Sequence, residues 1–176
     1  MHSLRALPLV LSSLAIIAGC STTQSVSPPD VPVELRPPVG QLLQLEALAT
    51  GFQIYECTQK PDSTFDWIFK APEASLVSRS GQSLGKHYAG PTWESGDGST
   101  VAAEVNARDP GPTASAIPWL LLAAKTNTGS SGIFSATKSI QRVATVGGIA
   151  PAEPCTSSNV KQVARVPYTA TYYFYR

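Results

Sequence analysis

One histidine, one serine in a nucleophile-like frame and a pair of cysteines carry most of the reactive chemistry that this chain offers. His87 is the only histidine after His2, and histidine is the side chain whose ordinary pKa lies near neutrality. Trp93, Glu94 and Asp97 follow within ten residues. A hairpin that folded these arms together would bring His87 to a carboxylate and make a general base. The plainer roles are a ligand contact, or a structural hydrogen bond beside the Gly90-Pro91 bend. A mononuclear metal site would need further ligands from Asp and Glu, and none is expected. Gly81-Gln82-Ser83-Leu84-Gly85 fits the G-x-S-x-G frame, which requires a strand before it, a helix after it, and an acid and then a histidine downstream. Lys86 to Pro91 makes a poor helix and no histidine follows His87, so the segment reads as a Ser/Gly turn between strands. Neither Gly129-Ser130-Ser131-Gly132 nor Gly147-Gly148 has the spacing of a dinucleotide fingerprint, and no cofactor is indicated.

The third cysteine stands apart. Leu4 to Gly19 is mostly apolar after a start carrying His2 and Arg5, and it closes with Ile17-Ala18-Gly19-Cys20. A positive start, a short apolar run and small residues before a cut describe an export signal, too short to span a bilayer. The closing four residues resemble the lipobox of bacterial lipoproteins, in which the cysteine is acylated and becomes the mature N-terminus. Residues 1–19 therefore read as a lipoprotein signal peptide and Cys20 as the lipid attachment, with the membrane as partner through that lipid. Ser21, where Asp would mark inner-membrane retention, resembles the outer-membrane sorting pattern and points to its periplasmic face. Export leaves Cys57 and Cys155 in an oxidising compartment, where two cysteines imply one disulfide. A redox pair would want C-x-x-C spacing and structural zinc four clustered ligands.

The whole chain has 13 Lys and Arg against 12 Asp and Glu. Loss of Arg5 with the signal leaves a neutral chain without clustered cations, which excludes nucleic acid as a partner. What remains is long enough for one core and one domain. Residues 20–38 are rich in Ser, Thr and Pro and read as a flexible tether; residues 39–176 form the domain.

Its elements read as strands. Leu43, Leu45, Ala47 and Ala49 share one face before a break at Gly51, with a helix over Gln41–Thr50 as the rival. Phe52–Cys57 is a second strand, Phe65–Lys70 a short aromatic one, and Ala74–Val77 and Leu84–Tyr88 are further short candidates. Thr92–Glu94 and Thr100–Asn106 flank Ser95-Gly96-Asp97-Gly98-Ser99, a turn. Asp109-Pro110-Gly111-Pro112 breaks regular structure. Trp119–Ala124 is continuously apolar, Ser139–Val146 is rich in β-branched residues, and Tyr168–Tyr175 alternates to the end. Short strands at regular spacing with Gly and Pro turns predict an all-β single domain, an antiparallel β-sandwich or compact barrel with short strands and long loops. The Trp and Tyr residues are more often core than a stacking surface for a sugar or an aromatic ligand.

Gln53-Ile54-Tyr55-Glu56-Cys57, His87-Tyr88-Ala89-Gly90-Pro91-Thr92-Trp93-Glu94 and Asp97-Gly98-Ser99 resemble the domain of unknown function 3455. Ile117-Pro118-Trp119-Leu120, Gln141-Arg142-Val143-Ala144-Thr145, Gly147-Gly148, Pro151, Cys155 and Tyr168–Tyr175 continue the resemblance, from about Pro32 onward. It implies an exported bacterial or fungal protein, supports pairing of Cys57 with Cys155, and marks His87 without assigning a reaction. Two functions stand. The favoured one is a lipid-anchored envelope domain that binds a small molecule, glycan or protein near His87, Trp93, Glu94, Asp97 and Arg142. The rival is an envelope hydrolase using His87 with Glu94 or Asp97, which needs His87 beside a carboxylate and open to a cleft.

Overall fold

In the computed structural model of the protein, residues 26–176 are described; the segment read as an export signal, Cys20 and the start of the proline-rich stretch lie outside them. Eight strands run β1 (Leu43–Gln59), β2 (Phe65–Val77), β3 (Ser83–Tyr88), β4 (Thr92–Ser95), β5 (Thr100–Asp109), β6 (Trp119–Thr128), β7 (Ser139–Gly147) and β8 (Val163–Tyr175). Each pairs antiparallel with its neighbour in sequence, and β8 pairs back onto β1, closing a barrel. The expected all-β single domain is therefore a barrel, and its principal strands are longer than the sequence pattern indicated.

The lengthening has local causes. Gly51 does not break β1; it lies inside a 17-residue strand, paired with Ala74 and Tyr168. A Cβ there would stand 2.0 Å from the Glu73 carbonyl oxygen and 2.5 Å from the Ala74 Cα, so only glycine lets β1 and β2 approach this closely. The helix considered for Gln41–Thr50 does not form, because β8 supplies a continuous pairing partner from Leu43 to Glu56. In β2 the two predicted segments join through a bulge at Lys70, between the pairs Ile54–Ala71 and Tyr55–Phe69.

Inward positions alternate small with large. Ala47, Ala49, Ala74, Ala103 and Ala170 leave room for Trp93, Phe134, Tyr172 and Phe174, all buried in one cluster. Ion pairs such as Lys125–Glu104, Lys86–Glu94 and Arg165–Glu73 are partly or largely exposed. An apolar inside with exposed ion pairs outside is the reverse of a membrane-spanning barrel, which is apolar outward. No helix among the described residues is long and apolar enough to cross a membrane.

Trp119–Ala124 is apolar on both faces because both are covered. Leu120 and Leu122 join the interior, while Leu121 and Trp119 pack with Val143, Tyr173 and Tyr175 beneath Val31 and Leu35. This corrects the tether. Its described part, from residue 26, includes a short 3₁₀ turn (Val33–Leu35) in which Leu35 is fully buried. The Leu35 carbonyl accepts from Gln141 Nε2 at 2.7 Å, and Gln141 Oε1 in turn accepts from the Tyr175 hydroxyl at 2.6 Å.

The barrel wall is notched. β2 pairs with β3 only over Ala74–Val77, and β5 pairs with β4 only over Thr100–Ala102. The β3–β4 hairpin is too short to reach farther, so Phe65–Glu73 and Val105–Asp109 face each other across an opening whose sill is the Gly90-Pro91 bend. Pro72 sits in this free part of β2, where its missing N–H costs no ladder bond.

Cys57 and Cys155 are disulfide-bonded, with Cα atoms 5.4 Å apart, tying β1 to the β7–β8 loop across 98 residues. In the chain-entropy account a loop of this length contributes up to about 4.7 kcal/mol. A Cys57→Ser/Cys155→Ser double variant is expected to lose about 2–5 kcal/mol in urea denaturation, and an unchanged midpoint would contradict this. Gly51→Ala is expected to cost at least about 1–3 kcal/mol through backbone overpacking. The control is Gly96→Ala, where an added Cβ meets nothing within 4 Å and the change should stay within about 0.5 kcal/mol.

Candidate functional site

Behind the notch lies a cavity of about 500 Å³, within the range of about 300–1,000 Å³ that ligand sites occupy. Its floor is aromatic. In the β3–β4 register His87 stands opposite Trp93, and the two rings stack at 4.2 Å with 12° between planes. Tyr172, from β8, meets both edge-on. Leu120 and Leu122 of β6 line one wall, Gln53 and Tyr55 of β1 another, and the Ile117-Pro118 bend one end. At the mouth Phe69 and Val105 remain 48% and 37% exposed on opposite sides of the notch.

The hairpin that was expected to bring His87 to an acid does the opposite. Strand alternation turns His87 and Trp93 inward, and Lys86 and Glu94, themselves a cross-strand pair, outward. Glu94 accepts from the Tyr88 hydroxyl at 2.8 Å and pairs with Lys86 at 3.2 Å, and these two donors hold its carboxyl below the usual range. Asp97 lies in the β4–β5 turn, at the other end of the hairpin. It accepts from the Ser99 amide (2.8 Å) and hydroxyl (2.6 Å) and from the Ile133 amide (2.8 Å), which lower its pKa to about 2. Asp97 thus holds the β6–β7 loop in place. Of the five residues expected near one site, His87, Trp93 and Arg142 line the cavity and Glu94 and Asp97 do not.

His87 is 3% exposed, and its Nδ1–H donates to the Thr92 carbonyl at 2.8 Å. That bond fixes the tautomer and leaves Nε2 as an acceptor. Burial lowers its pKa to about 3, opposed by the Thr92 bond and reinforced by the positive charge of Arg142. His87 is neutral at physiological pH and has no carboxylate partner among the described residues. The His–carboxylate dyad of the hydrolase reading is therefore not assembled. Ser83, in the G-x-S-x-G frame, is exposed at the start of β3. Gly85 closes that frame for a structural reason: its φ is +147°, and a Cβ there would lie 2.0 Å from the Glu94 carbonyl oxygen. Among the described residues no cluster of three or more His, Cys, Asp or Glu is arranged to hold a metal.

Arg142 projects from β7 into the cavity between its strand partners Leu120 and Tyr172. Nε and Nη2 donate to the Pro118 carbonyl at 3.2 and 2.9 Å. Several buried polar atoms here make no hydrogen bond of full geometry among the described residues, namely Gln53 Nε2, Trp93 Nε1 and the Tyr168 and Tyr172 hydroxyls, although Tyr168 lies close to Gln53 and Tyr172, and Tyr172 to Arg142. Buried polar groups are almost always satisfied, so unsatisfied ones beside a roomy cavity mark a place built for a further polar partner. Gln53 and Tyr172 stood in the motifs of the family resemblance, and Tyr172 among the aromatics read as core, but neither was expected at the site.

The depressed pKa of His87 has a definite sign for stability. Its folded value near 3 lies below the unfolded value of about 6.5, so the unfolded chain takes up the proton first. Stability is full above about pH 6.5 and falls as pH drops toward 3, by at most about 1.4 kcal/mol per pH unit. Glu46 and Asp97, whose carboxyls are held low, act in the same direction only below about pH 4.5. Between pH 6.5 and 5 the wild-type denaturation midpoint is expected to fall while that of His87→Gln stays level; parallel slopes would contradict the assignment.

Across residues 38–176, covering β1 to β8, the chain matches the family described as a protein of unknown function, DUF3455. No curated protein and no solved structure matches it. The chain, with its notched barrel and aromatic-floored cavity, belongs to the DUF3455 family.

Proposed function

We propose that this protein is a binding barrel of the bacterial cell envelope, anchored by lipid on Cys20 and holding a small, largely apolar ligand in the side cavity. The observation that carries the reading is the cavity itself. It is reached through a notch in the barrel wall, is lined by His87, Trp93, Leu120, Leu122 and Tyr172, and adjoins buried polar atoms that make no hydrogen bond of full geometry, Trp93 Nε1 among them. A mainly apolar pocket with a few convergent polar groups is the usual form of a ligand site. Binding is favoured over catalysis because His87, the one residue suited to acid–base work, is neutral, buried and bonded to a backbone carbonyl. The disulfide accords with export, Ile17–Cys20 supports lipidation, and Ser21 supports an outer-membrane site.

Titration of the purified protein with a neutral naphthylamine dye is expected to give saturable fluorescence. Leu122→Trp, which fills the cavity, is expected to weaken binding at least tenfold while near-ultraviolet dichroism shows an intact fold. Equal binding by the filled variant, or none by the wild type, would refute the cavity reading. Mass spectrometry of the protein extracted from membranes is expected to find an acylated Cys20 as the N-terminus, and an unmodified cysteine there would refute the anchor.

A further inference from the structure

The cavity holds a positive charge that the chain does not neutralise. Arg142 is half-buried among apolar and aromatic side chains, and no Asp or Glu lines the cavity. Its two hydrogen bonds go to a neutral carbonyl, that of Pro118. The titratable groups that feel its charge are Tyr55, His87, Tyr168 and Tyr172. Burial raises the pKa of each tyrosine and lowers that of the histidine, so all four are neutral around pH 7. Elsewhere, cations of the barrel wall are either paired with a carboxylate or, as with Arg36, Lys138, Lys161 and Arg176, exposed to water. Arg79 bonds the buried Glu46 carboxylate, Arg165 meets Glu73 at 2.8 Å, and Lys70, on the mouth of the same cavity, meets Glu56 at 3.3 Å. Arg108, across the mouth on β5, lines the cavity and has no carboxylate partner among the described residues.

Removing a cation from water without a partner is costly, and such charges are normally paired. Resting on the binding reading above, we propose that the ligand is an organic monoanion with an apolar body, of the carboxylate amphiphile class, whose negative group pairs with Arg142. The fork geometry suits a carboxylate. With the Nε hydrogen and one Nη2 hydrogen engaged at Pro118, Arg142 keeps one donor on Nη2 and two on Nη1, and this Nη1–Nη2 edge is a fork for one anionic group. The Tyr172 hydroxyl and Gln53 Nε2, on residues 1% and 2% exposed, make no hydrogen bond of full geometry and are further donors to the cavity, with Tyr172 close to Arg142 itself. Leu120, Leu122 and the His87–Trp93 stack receive the apolar body, and Arg108 at the mouth draws anions toward the notch. A dianion or a cation fits poorly, the first for want of a second paired cation inside and the second by repulsion from Arg142.

Competition against the neutral dye separates this proposal from the one it rests on. Decanoate, decanol and decyltrimethylammonium are titrated below their aggregation concentrations into dye-loaded protein. Decanoate is expected to displace the dye at least tenfold more tightly than decanol, with the ammonium weakest. Arg142→Gln is expected to bring decanoate down to the level of decanol, each displacement being read against that variant's own dye affinity. Arg142→Lys keeps the charge without the fork and should retain part of the preference, so a folding defect in one variant does not decide the matter. Decanoate binding no better than decanol in the wild type overturns the monoanion proposal while leaving the cavity reading intact. Failure of the dye itself to bind overturns both.

Discussion

The pairing of β8 with β1 is the constraint on which the rest of the molecule depends. It joins strands from opposite ends of the domain over Leu43–Glu56 and Val163–Tyr175, and it converts a meander of neighbours into a closed wall. Closure fixes which residues point inward on every strand, because alternation along β1 and β8 is locked by their shared register. Gly51 permits the closest approach on the other side of β1, and the Cys57–Cys155 bond fastens the end of the same strand. The two devices protect one element, the strand that both neighbours use.

Strand length then shapes the site. β1, β2 and β8 have 17, 13 and 13 residues, whereas β3 and β4 have six and four. A wall built from strands of such unequal length has an opening over the short hairpin, and the interior behind it is only partly filled. The other end is packed solid by Phe134, Phe174, Leu76, Val101 and Ile140. The division of labour is therefore longitudinal: one end of the barrel supplies stability, and the other keeps space, an exposed apolar rim and an unneutralised arginine. On the outside, Val31 and Leu35 cover Leu121, Val143 and Tyr173, so these two residues of the proline-rich stretch are part of the packed domain.

Much of this was legible in the sequence, for identifiable reasons. β-Branched and aromatic alternation marked β7 and β8, and the Ser95–Ser99 turn was correctly placed. The expected export and the cysteine count singled out the disulfide. What misled was the meaning of single residues whose role is set by distant partners. Gly51 looked like a break because its close contact, the Glu73 carbonyl, belongs to another strand. Glu94 and Asp97 looked like partners of His87 because they are near in sequence, while alternation and turn position carry them away. Gln53 and Tyr172 stood in the resemblance motifs, but their place at the cavity carried no signal, since an unsatisfied donor is a property of the assembled interior. Val31 and Leu35 were hidden in a composition that resembles a linker.

The central claim, that the cavity beside Trp93 is the binding site, can be read from the three indole N–H resonances of the protein. Trp93 Nε1 is buried without a partner beside the cavity, Trp119 packs on the outer side with Leu121, and Trp67 donates to the Glu153 carbonyl at 2.8 Å. In a proton–nitrogen correlation spectrum, decanoate titrated below its aggregation concentration is expected to shift the Trp93 indole signal and leave those of Trp67 and Trp119 in place. A shift confined to Trp67 or Trp119, or no shift at all, would contradict the account.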